Sequence, residues 1–222
     1  MQLHKFIILF GTGVILITFL IAVSYSKKGK PLFFKYIFIF ITLGLMVSLN
    51  TIIHYYFHLT SLYAQRLIQI LLTSFQLPCI GLFFLNIISN NSYRKPLICL
   101  LVFFTSLQLV IFILSTFNYF DFYNTYVCLS PLTFTYSLIY FKDFLSGPPS
   151  TYIAHNAEFW IVVGIFFHCC ISFPIYSLYK FIPFQSHKDL RFAIFSISNI
   201  SLIILYVFIS KSYLCLKHQP NP

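Results

Sequence analysis

The sequence predicts an all-α fold: a polytopic membrane helix bundle of seven transmembrane helices, forming a single domain over residues 1–222. Three observations carry this. The chain is 59% hydrophobic and 8% charged, against roughly 45–50% and about 25% in ordinary globular chains. Four Asp and Glu residues in 222 are too few to solvate a soluble domain of this size. The apolar residues also gather into seven runs of about 20 residues, the length that crosses a hydrocarbon core of about 30 Å at 1.5 Å per helical residue. Disorder is excluded as well, because disordered chains are poor in aromatics and this one has 29 Phe and 16 Tyr.

In order, the runs are Phe6–Tyr25, Tyr36–Tyr56, Leu67–Ile88, Pro96–Phe117, Tyr123–Phe141, Phe159–Tyr179 and Phe192–Ser210. None carries a charge at its middle. Within lipid the backbone must satisfy its own hydrogen bonds, so runs this long read as helices. Barrel strands would be about 10 residues long and alternating. The first run has features of a leader, with Lys5 before it and Ala22-Val23-Ser24 near its end. The expectation is that it is retained and forms a membrane helix. The fifth is the weakest span, since it holds Pro131 among Ser130, Thr133, Thr135, Tyr136 and Ser137. The connections are short, and the longest, Lys142–Glu158, contains Gly147-Pro148-Pro149, which cannot continue a helix.

Orientation follows the distribution of Lys and Arg. With the N-terminus outside and the C-terminus cytoplasmic, nine of the 14 fall inside: Lys27, Lys28, Lys30, Lys35, Arg94, Lys95, Lys142, Lys211 and Lys217. Lys27, Lys28, Lys30, Arg94 and Lys95 determine most of this. If the fifth run did not span, the count would again be nine to five. Charge therefore orients the N-terminal half and leaves the side of the C-terminus open. The net charge of +10 reads as loop charge, not as a nucleic-acid surface, because no stretch interleaves dense basic residues with aromatics on a polar background.

Polar side chains at membrane depth face other helices or a cavity. Asn50, His54, Gln76, Asn86, Gln108, His168 and Asn199 are the candidates for a ligand site or a polar core. His54 and His58 share a helix face, but Tyr55-Tyr56-Phe57 between them favours an interfacial aromatic belt over a metal site. His168 beside Cys169 and Cys170 has no acid next to it, and apolar surroundings oppose a reactive thiolate. The six cysteines form no metal or disulfide framework. No carboxylate pair, phosphate loop or nucleophile elbow is present. The expectation is a protein that is not an enzyme and uses no cofactor or metal. Pro78, Pro131 and Pro174 lie inside spans, where each kinks the helix and opens internal space.

The stretch Tyr140-Phe141-Lys142 to Tyr179 runs through Gly147-Pro148-Pro149, Glu158-Phe159-Trp160-Ile161, Gly164, Phe166-Phe167 and Pro174. A short loop, then Phe-Trp-Ile, Gly and aromatics resembles the seven-helix membrane regions that precede kinase domains in sensor histidine kinases of Bacteroidetes-type bacteria. It is also similar to small stand-alone multi-pass proteins related to them. The Asn199 region and a short basic tail fit the same pattern. The resemblance implies seven spans, a cytoplasmic C-terminus and the bacterial inner membrane. No kinase lies within these residues, so signalling would need other proteins. The expected function is a non-enzymatic membrane subunit or sensor-like module, embedded in the lipid bilayer and associating laterally with other integral membrane proteins or as a homo-oligomer. A small transporter or channel is the alternative.

Overall fold

The computed structural model describes residues 2–26, 31–57, 61–117, 122–146, 153–179 and 188–215. Among them the secondary structure is entirely helical. The long helices are α1 (Gln2–Ser26), α2 (Phe33–Ile52), α3 (Leu62–Ile87), α4 (Asn91–Thr116), α5 (Phe122–Ser146), α6 (Ala157–Tyr179) and α7 (Lys188–Cys215). A π-helical turn, Ile53–Phe57, extends α2, and a 3-10 turn, Ile153–His155, precedes α6. Six of the seven are long and apolar enough to cross a membrane; α5 is not apolar enough. Lys27, Lys28, Lys30, His58 and Gly147-Pro148-Pro149 lie outside the described residues.

Local sequence explains several helix starts. The Ser61 hydroxyl accepts from the Ala64 N–H, Asn90 Oδ1 from Ser92 and Asn156 Oδ1 from Phe159. Each meets a donor that a helix N-terminus leaves unpaired. α5 runs on to Ser146, so Lys142 and Asp143, expected in a loop, form its last turns. There Asp143 Oδ2 accepts from both the N–H and the hydroxyl of Ser89, at 3.0 and 2.9 Å. This pins the end of α5 to the turn between α3 and α4.

Consecutive helices alternate in direction. α1, α2, α3, α5, α6 and α7 close a ring in that order, and α4 sits outside it against α3 and α5. Thr18 on α1 and Ser210 on α7 share a hydrogen bond of 2.8 Å that ties the first helix to the last. α5 meets α3, α4 and α6. Ser130, Thr133 and Ser137 face protein and are buried, and the Thr133, Thr135 and Ser137 hydroxyls donate to carbonyls of their own helix. The outer faces of α1 and α4 expose Phe6, Phe10, Ile17, Val102, Phe103 and Leu109, as a lipid-facing surface requires.

One end of the bundle is aromatic and basic. Phe33 packs on Phe83 and Phe34 on Tyr213. Lys142 Nζ lies 5.5 Å from the Tyr93 ring centre, and Lys211 Nζ lies 3.3 Å from that of Trp160. Phe141 and Phe159 bridge the two pairs. Lys35, Arg94, Lys95, Lys142 and Lys211 thus share this end.

Candidate functional site

A cavity of about 60 Å³ lies inside the ring, walled by α2, α3, α5, α6 and α7. Each helix contributes one face at helical spacing. α6 supplies Ile165, His168, Cys169 and Ser172; α2 supplies Phe40, Gly44, Val47 and Ser48. These positions follow the i, i+3, i+4, i+7 pattern of a single stripe. Gln76 comes from α3, Ser130 and Thr133 from α5, and Tyr206 from α7. No Asp, Glu, Lys or Arg lines the cavity.

Gly44 makes the site possible. A side chain there would overlap the Tyr206 hydroxyl, and its Cβ would stand 3.6 Å from Gln76 Nε2. Tyr206 stacks on Phe40, with ring centres 6.3 Å apart. Across the cavity, His168 Nδ1 is 2.9 Å from Ser201 Oγ. Cys169 Sγ is 2.8 Å from Thr133 Oγ1. The Thr133 hydroxyl also lies 3.0 and 3.1 Å from the Leu129 and Ser130 carbonyls of α5.

Two of the seven polar residues singled out from sequence, Gln76 and His168, meet at this cavity. The other five do not line it. Asn50 is buried and donates to the Gln65 carbonyl at 3.3 Å, tying α2 to the start of α3. His54 belongs to the π-helical turn. Asn86 and Asn199 donate to the carbonyls of Leu82 and Phe195 on their own helices. Gln108 reaches Ser74 at 3.4 Å across the α3–α4 seam, and its Oε1 is buried without a partner. Sequence reasoning missed Ser48, Ser172 and Tyr206. The signal that finds them is small or polar residues recurring on the stripe of a residue already suspected, as Ser172 does four positions after His168.

Among the described residues, no three His, Cys, Asp or Glu side chains come together to hold a metal ion. Cys169 is buried and Cys170 exposed, so the adjacent thiols face different surroundings. In comparisons with protein-family models, curated proteins and solved structures, nothing matches this chain.

Proposed function

We propose that this chain is a non-enzymatic, sensor-like membrane module. In this reading it crosses the membrane seven times and passes the state of its central cavity sideways, to other integral membrane proteins or to a second copy. The observation that carries the reading is the position of the prolines. Pro78 lies between Gln76 and Ile80 of the cavity wall, Pro131 follows Ser130 and Pro174 comes two residues after Ser172. Each proline leaves the carbonyl four residues earlier without its helical donor. Three helices therefore bend most easily where they touch the cavity, and what occupies it biases their angle.

Seven crossings are supported by the 25-residue length of α5 and its antiparallel run between α4 and α6. An outside N-terminus and a cytoplasmic C-terminus are supported by the five Lys and Arg residues at one end of the bundle. The bacterial inner membrane rests on the sequence resemblance alone. The test is co-purification of the tagged chain from its native membrane in mild detergent, with mass spectrometry of what accompanies it. A stoichiometric partner or a homo-oligomer is expected. A monomer that retains nothing ends this reading. A cavity inside the ring that carries Gln76 and His168 favours a second reading, a small transporter or channel. Solute flux through proteoliposomes of the pure protein would select it.

A further inference from the structure

The hydrogen bonds around the cavity fix which groups can still donate or accept. Ser201 donates its hydroxyl proton to the Ser198 carbonyl at 2.7 Å. With the proton so placed, its oxygen accepts from His168 Nδ1 at 2.9 Å, the tautomer in which Nε2 carries no hydrogen. No carboxylate lines the cavity to stabilise an imidazolium, and a buried unpaired charge is strongly disfavoured. The ring is thus neutral, and in this tautomer Nε2 presents a bare lone pair.

Among the described residues, Nε2 and the side-chain polar atoms of Gln76, Ser48, Ser172 and Tyr206 have no hydrogen-bond partner. Gln76, Ser172 and Tyr206 are 7%, 1% and 1% exposed. None of these atoms is among the sealed orphans, such as Gln108 Oε1 and Tyr140 Oη, which lie elsewhere. They keep access to the cavity. Native proteins pair nearly all buried polar groups, so a largely apolar cavity with these unmet groups on its wall suits an occupant that hydrogen-bonds at a few points. It offers an acceptor at His168, an amide with both capacities at Gln76, and hydroxyls. Lacking charge, it suits an uncharged occupant. At about 60 Å³ the cavity suits a small occupant.

We propose that this cavity is a binding site for a small uncharged solute of the alcohol or primary-amide class, which donates a hydrogen bond to His168 Nε2 and accepts one from the Gln76 amide. This names the ligand of the cavity on which the sensor-like reading rests.

The test uses the full chain in lipid nanodiscs with 15N-labelled histidine, the His168 signals being assigned by their loss in His168→Gln. The unliganded protein is expected to show hydrogen on Nδ1 and none on Nε2. Formamide is the probe. It should shift the Nε2 resonance saturably, with a Kd in the millimolar range, because three heavy atoms limit affinity to about 0.5 mM. Formate, of the same shape but charged, should bind at least ~10-fold more weakly. Ser172→Val, which leaves His168 in place, should weaken formamide several-fold. Hydrogen on Nε2, a linear response showing that water alone fills the cavity, or equal binding of formate would each overturn the proposal. Saturable binding by a chain that purifies without partners would keep this site and discard lateral signalling. A partner without probe binding would do the reverse.

Discussion

Replacing Gly44 with Ala tests whether the cavity wall is as tightly fixed as its geometry implies. The added methyl would overlap the Tyr206 hydroxyl and stand 3.1 Å from Tyr206 Cζ. Tyr206 is 1% exposed and stacked on Phe40, so its ring cannot turn aside without moving a second ring. Overpacking of this kind costs about 1–3 kcal/mol, and about 2 kcal/mol is expected here. For a chain of this size that lowers Tm by about 4–8 °C. Tyr206→Phe removes the overlapping oxygen, which has no partner among the described residues, and should cost under ~1 kcal/mol. In that background Gly44→Ala meets only the contact at 3.1 Å, and its cost should fall below ~1 kcal/mol. The two substitutions should therefore couple favourably by about 1–2 kcal/mol. The assay is thermal unfolding in detergent, followed by far-ultraviolet circular dichroism for all four proteins. Additive effects, or a single Gly44→Ala variant within ~0.5 kcal/mol of the parent, would refute the close approach of α2 to α7.

Two further glycines give opposite expectations. A Cβ on Gly164 would lie 2.9 Å from Phe208 Cβ and 3.4 Å from the Leu205 carbonyl oxygen, neither of which yields unless α7 moves. Gly164→Ala should cost about 1–3 kcal/mol. Gly13 has nothing within 4 Å, so Gly13→Ala should stabilise by about 0.5–1 kcal/mol through helix propensity; the same unfolding assay checks both. Lys211→Gln removes the cation over Trp160, the only Trp. It should cost about 0.5–1 kcal/mol and alter the Trp160 fluorescence, and an unchanged spectrum would contradict the contact. Neutralising Lys27, Lys28 and Lys30 together should yield mixed orientation of the first hairpin, read with reporters fused at the N-terminus. Uniform wild-type topology would show that another segment orients the chain.

The class of fold was legible because length and apolarity act locally: a run of about 20 apolar residues needs no partner to be recognised. α5 shows where that signal fails. Hydropathy measures how well a helix suits lipid, but α5 is placed among three other helices, and its Thr133, Thr135 and Ser137 hydroxyls bond its own backbone. Its low apolarity therefore records position in the bundle and does not count against the helix. The site was legible only in part for a related reason. Sequence marks Gln76, Asn86, Gln108, His168 and Asn199 alike as polar at depth, but not which way each points. Asn86 and Asn199 fold back on their own helices, while Gln76 and His168 meet at the cavity. What separates them is non-local: a missing side chain at Gly44 admits a tyrosine from the last helix, and no stretch of sequence near either residue carries that information. Charge behaves similarly. Counting Lys and Arg gives nine to five whether or not α5 spans. Lys142 and Lys211 share an end with Arg94 and Lys95 because α5 runs antiparallel to α4 and α6. The helix least like a membrane span is thus the one on which the seven-span reading depends.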